Sequence, residues 1–155
     1  MTARLSAVVL DDCDGTALAP EVEQERNVAI FDLLEENAFV LPGAPEGPYR
    51  LALMLDGRAL VFDLTTEDGA PAARFEVSVG PLAQIAKDYR QICETYAAAV
   101  TSKTPSEIEA LDEARRAIHD EGADALGRRL GDHVEMDAPT AKRLFTLVYV
   151  LTSGV

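Results

Sequence analysis

The sequence predicts an α+β protein, and three patterns carry that prediction. A period-two run of apolar residues spans Tyr49 to Val79, three segments of helical period follow it, and one strand-like and one helix-like segment precede it. The chain has 155 residues, 48% of them apolar, with no internal repeat or long linker, and reads as one globular domain over residues 1–155. At this length a folded chain buries roughly 68–70% of the surface its unfolded form exposes, enough for a core without a metal or disulfides.

Arg4 to Leu10 reads as a short strand. Pro20 then opens a helix running to about Asn37, with Glu21, Glu23 and Glu25 in or near its first turns, where the helix dipole favours anions. Val22, Ala29, Ile30 and Leu33 share one face of it, while Val28 and Phe31 point the other way. Phe31 is therefore a candidate contact residue for a partner, or a core residue if the helix is covered on two sides. Glu21 and Glu25, one turn apart, read as part of a solvated charged face rather than as a metal pair. The loop FVLPGAPEGP follows.

From Tyr49 onward, Tyr49, Leu51, Leu53 and Leu55 alternate with Arg50, Ala52, Met54 and Asp56. Asp56-Gly57 is a strong hairpin signal, because a type I′ turn needs positive φ at both central positions. A turn centred there pairs Leu53 with Leu60, Leu51 with Phe62 and Tyr49 with Leu64, and sets Arg50 opposite Asp63. After a looser turn, Phe75, Val77 and Val79 alternate with Arg74, Glu76 and Ser78. The region reads as a three-stranded antiparallel meander with one wet face, joined by the first strand.

The C-terminal part reads as a group of three helices packed on the apolar face of the sheet. Pro81 opens the first, with Leu82, Ile85, Tyr89, Ile92, Cys93, Tyr96 and Val100 in one stripe. The second starts with a capping box at Thr104, Pro105, Ser106 and Glu107 and runs to about Leu130. The last begins after Asp137. It carries Ala141, Leu144, Phe145, Val148 and Leu151 on one side and Leu147, Tyr149 and Val150 on the others, so it needs burial on two sides. Either it is a central core helix, or Tyr149 and Val150 meet a second subunit.

The second of these helices holds the most unusual polar cluster. Its apolar stripe, Ile108, Leu111, Ile118 and Leu126, also contains Arg115, His119 and Gly122. An Arg and a His one turn apart on an inward face, with a glycine that removes bulk one turn on, make a candidate anion-binding or acid/base pocket. Tyr89 and Cys93 join it if the neighbouring helices pack face to face. The competing structural reading is that Arg115 snorkels to the rim or pairs with a carboxylate from another element, while His119 is a satisfied core residue.

Several function classes are excluded or disfavoured. The formal net charge of −13 argues against a grip on nucleic acid or anionic lipid. The basic pairs Arg115-Arg116, Arg128-Arg129 and Lys142-Arg143 lack interleaved aromatics and are expected to pair with nearby Asp and Glu. No hydrophobic stretch approaches the ~20 residues of a membrane span, and no secretory signal is evident, so a cytoplasmic protein is expected. Cys13 and Cys93 form no metal-ligand spacing. An EF-hand template touches Asp12, Asp14, Gly15 and Glu21 but fails at Leu10 and at Pro20, so no metal is expected there. No nucleotide, zinc-protease or hydrolase motif occurs, and no cofactor is expected.

The segments PEVEQERNVAIFDLLEENAF, GPYRL, KDYRQICETYAAAV, TPSEIEALDEARRAIHDEG and TAKRLFTLVYVL together resemble uncharacterised protein family 0262, small proteins of alphaproteobacteria. The resemblance runs from about Val9 to Leu151 and implies a cytoplasmic bacterial protein without implying an activity.

Two functional readings follow. One is a non-enzymatic interaction or regulatory protein, self-associating as a homo-oligomer through the last helix or the Phe31 face, or meeting a basic protein partner. The other is a small-anion-binding protein or enzyme built on Arg115 and His119. The charge map narrows the partner: residues 1–80 carry 15 acidic and 5 basic side chains, residues 81–155 carry 12 and 9. The first half would attract a basic partner, with steep salt dependence.

Overall fold

The structure, a computed structural model, describes residues 3–11 and 18–153. The Asp12, Asp14, Gly15 and Cys13 positions lie outside the described residues. Strand β1 (Leu5–Asp11) leads to helix α1 (Pro20–Glu35), a two-residue strand β2 (Phe39–Val40) and the meander β3 (Tyr49–Asp56), β4 (Ala59–Thr66) and β5 (Pro71–Ser78). Helices α2 (Gly80–Ala99) and α3 (Pro105–Leu130) come next, then β6 (Glu135–Met136) and α4 (Ala138–Ser153). The protein is α+β, with a four-stranded sheet in the order β1-β3-β4-β5 and the small β2-β6 pair beside it.

β1 joins the meander parallel to β3, because the connection between them crosses over through α1. Asn37, just past α1, fixes that crossover. Its Oδ1 accepts from the Leu5 amide at 2.7 Å, and its Nδ2 donates to the carbonyls of Leu5 at 3.0 Å and Leu33 at 2.8 Å.

The hairpin register differs from the expected one by two residues. The turn is Gly57-Arg58, so Leu53 faces Phe62, Leu51 faces Leu64 and Asp56 faces Ala59. Gly57 has φ +61° and no described non-glycine residue has positive φ. Glycine in the first central position suits a type II′ turn, whereas a turn on Asp56-Gly57 would force Asp56 into the left-handed region. A shift of two preserves the face each side chain occupies, so the core is unchanged. Asp63 consequently meets Arg74 of β5 rather than Arg50, with Arg74 Nη1 donating to Asp63 Oδ2 at 3.1 Å.

Of the expected capping box at the start of α3, the Thr104 half forms. Thr104 Oγ1 accepts from the Glu107 amide at 3.2 Å, with Pro105 at the first helical position. At the end of α2 the expected stripe stops short: Ala99 is buried and Val100 is exposed.

α4 is the centre of the helical layer, in contact with α1, α2 and α3. Nine consecutive-turn positions from Thr140 to Leu151 are buried, including Tyr149 and Val150 at 3% exposure each. The second side of α4 is covered by the chain's own helices, so Tyr149 and Val150 present no surface to a second subunit. Buried Thr140 accepts from the Ala38 amide at 3.0 Å through Oγ1, tying α4 to the α1–β2 corner.

Candidate functional site

Helices α1 to α4 bring a polar cluster together inside an aromatic frame. α2 and α3 pack against each other, so Tyr89 and His119 do meet: their rings stand edge to face at 5.2 Å. Tyr89 also meets Tyr149 at 4.9 Å, and His119 meets Phe145 at 5.3 Å, both edge to face. The space left by Gly122 is filled by Phe145. A Cβ at Gly122 would lie 2.3 Å from Phe145 Cζ, so this glycine seats an aromatic ring rather than opening a pocket.

The Tyr89 hydroxyl donates to Glu25 Oε1 of α1 at 2.9 Å. Glu25 is therefore no solvated surface carboxylate. Burial raises its pKa above the usual glutamate value, with the Tyr89 hydrogen bond and the charge of Arg115 pulling back. Burial and the nearby Glu25 charge hold the Tyr89 hydroxyl protonated far above neutrality. Burial likewise pushes Cys93 up to about 11, so its thiol is protonated at neutral pH and is a poor nucleophile.

Arg115 and His119 have different partners. Arg115 donates from Nε at 3.2 Å and Nη2 at 2.6 Å to Asp112 Oδ1, one turn back on α3, and lies 5.3 Å from the Tyr96 ring centroid. Burial works against its charge, but the hydrogen bonds and charges of Asp112 and Tyr89 together outweigh it and hold the guanidinium protonated. His119 Nε2 lies 2.7 Å from Thr146 Oγ1, and that hydroxyl donates to the Lys142 carbonyl at 3.3 Å. Burial lowers the His119 pKa, and the cations Lys142 and Arg115 lower it further against the opposing pull of Asp120.

Where the cluster reaches the surface it borders a groove of about 650 Å³ between α1 and α4. Glu25 and Asp32 line the α1 wall, Lys142 and Arg143 the α4 wall, and His119 and Val28 also border it. Tyr89, Cys93 and Arg115 do not line it. Among the described residues no ion pair within 4.0 Å crosses the groove; Lys142 instead pairs with Asp120 at 3.3 Å. The groove thus offers charge of both signs to a visitor. One turn from Val28 (50% exposed) stands Phe31, 64% exposed.

The family model for an uncharacterised protein family, UPF0262, matches residues 2–153. The chain belongs to that family. A UPF0262 protein of Ruegeria pomeroyi is 52% identical over 157 residues, covering 98% of each chain. One of Jannaschia sp. strain CCS1 is 59% identical over 140 residues, covering 89% of this chain and 90% of the relative. One of Rhizobium etli is 53% identical over 148 residues, covering 96% and 94%. No solved structure matches the chain. The family name assigns no activity, so function is argued from the site alone.

Sequence reasoning brought Tyr89 and His119 together and placed Arg115 on the half-buried side of α3. It missed Glu25 and Thr146. Glu25 was findable, since it sits on the buried stripe of Val22, Ala29 and Leu33 at helical spacing. No helix is long and apolar enough to cross a membrane among the described residues.

Proposed function

We propose that this is a non-enzymatic interaction or regulatory protein of the cytoplasm that docks a basic protein partner on the exposed face of α1. The carrying observation is the pair Val28 and Phe31, two large apolar side chains at i, i+3 spacing left in solvent on a helix whose inward face is already satisfied. Around them α1 is acidic: Glu21, Glu23, Asp32 and Glu35 stand against Arg26 alone, while Glu25 turns inward to Tyr89. An apolar anchor ringed by acids suits a partner with an apolar pocket and a basic rim. The groove adjoining Val28 would take a side chain of that partner.

The polar cluster supports this reading over catalysis. Its tyrosine and thiol are held protonated, its arginine is engaged by Asp112, and its histidine is hydrogen-bonded to Thr146. A small-anion site shared by Arg115 and His119 has less support, because Arg115 does not reach the groove that His119 lines.

The test is recovery of the partner by tagged wild type and by Val28→Ser/Phe31→Ser, at low and high salt. Burying the exposed part of Phe31 is worth about 1–2 kcal/mol, so the double variant should weaken binding roughly tenfold or more. High salt should weaken it as well. Equal recovery by both proteins, or indifference to salt, would refute the proposal.

A further inference from the structure

A second concavity, sharing no residue with the α1–α4 groove, lies between the β3–β4 turn, α2 and the end of α4, with a volume of about 260 Å³. Ala83, Ala86, Lys87 and Arg90 reach it from α2, at the i, i+3, i+4 and i+7 positions of one helical face. The alanines withdraw side-chain bulk, and Leu55 and Val79 complete an apolar floor. Arg58 approaches from the hairpin turn.

The three bases are free to bind, a condition they share with Arg50, Lys103, Arg128 and Arg129, but they alone of these stand together around one hollow. Among the described residues no acidic side chain lines the pocket, although the chain carries 27 of them. The ion pairs of the described residues involve Arg26, Arg74, Arg115, Arg116 and Lys142, and none involves Arg58, Lys87 or Arg90. Nor does any of the three side chains donate a hydrogen bond to a described residue, whereas Arg4 and Arg143, which also lack ion pairs, donate to the carbonyls of Leu34 and Pro139. Acidic Asp88 lies in the midst of the pocket segment but is turned off its face, where it accepts from Gln84 at 2.9 Å. Three like charges held around one hollow repel each other, and an anion seated among them would relieve that repulsion.

We infer that Arg58, Lys87 and Arg90 form a binding site for a small phosphate-class dianion, inorganic phosphate or a compact phosphate monoester. Two guanidinium forks and an ammonium match several oxygens of a tetrahedral anion. The volume is below that of a drug-sized ligand site, which suits a compact anion better than a whole nucleotide. The apolar floor takes the short organic part of a monoester.

The experiment is calorimetric titration of the full chain with inorganic phosphate and with methyl phosphate, against chloride and succinate at matched ionic strength. Phosphate-class anions should bind, and Arg90→Gln should weaken them at least roughly tenfold, the usual effect of losing a hydrogen bond between charged groups. Arg50→Gln, which removes one positive charge outside the pocket, should leave binding unchanged. Tighter binding of methyl phosphate than of inorganic phosphate assigns the floor to an ester group, and the reverse assigns the site to free phosphate. The ligand-free melting temperature of Arg90→Gln should hold or rise, since a repulsive charge is gone; a fall would mean that Arg90 serves the C-terminus of α4, and would overturn the inference. Absence of binding at millimolar phosphate, equal binding by Arg90→Gln, or preference for succinate would overturn it too.

Discussion

Replacing Gly122 by alanine should destabilise the protein although alanine is the better helix former. A Cβ at position 122 meets three Phe145 ring atoms at 2.3, 2.4 and 2.5 Å. That ring is fully buried and hemmed in by Tyr89 and His119, so it has nowhere to swing. Overpacking of this kind costs about 1–3 kcal/mol, and the severity of the overlap places Gly122→Ala at the upper end. Helix propensity returns about 1 kcal/mol, leaving a net loss of about 2 kcal/mol. For a domain of this size that is a fall in melting temperature of roughly 4–8 °C. Gly127→Ala is the internal control. It lies on the same helix, a Cβ there meets nothing within 4 Å, and it should gain about 1 kcal/mol. Urea unfolding of the two variants should therefore move in opposite directions. Equal stabilisation by both would refute the claim that Phe145 occupies the space at Gly122, and with it the aromatic frame of the site.

Two further outcomes are expected. His119 has its folded pKa lowered by burial, so between that value and about 6.5 the unfolded chain binds more protons and stability falls as pH falls. The stability difference between wild type and His119→Gln should thus shrink on going from neutral pH to below 6.5, as read by thermal melts across pH; Glu25, whose raised pKa acts in the opposite sense above 4.5, is common to both proteins and cancels. A pH-independent difference would contradict the buried neutral imidazole. Thr104→Ala should cost about 1 kcal/mol through loss of the α3 cap, and Thr104→Ser should recover most of it, both measurable by denaturant midpoint.

Much of the architecture was legible because its signals are local. Period-two alternation from Tyr49 to Val79, prolines at helix starts and the Thr104 cap each depend on a few adjacent residues, and each lies where the pattern put it. The hairpin register was not legible, since Asp56-Gly57 and Gly57-Arg58 both satisfy the alternation and only the backbone cost of a left-handed Asp56 separates them. The β2–β6 pair was also hidden, because two-residue strands joined across 95 positions leave no periodicity. At the site, helical spacing put His119, Arg115 and Tyr89 on converging faces, but spacing cannot say which neighbour a side chain chooses. Asp112, three residues before Arg115, claimed the guanidinium, and Phe145 claimed the space at Gly122. Tyr149 and Val150 followed from the same ambiguity: an all-round apolar helix needs two covers, and here three helices of the same chain supply them.

The central claim is that the outward face of α1 is a docking surface, and photo-crosslinking from position 31 in the native cell tests it most directly. A photoreactive residue replacing Phe31 should yield one discrete adduct with a basic protein, while the same residue replacing exposed Glu113 on α3 yields none. No adduct from position 31, the same adducts from both positions, or a single adduct at twice the mass of the chain would contradict the account.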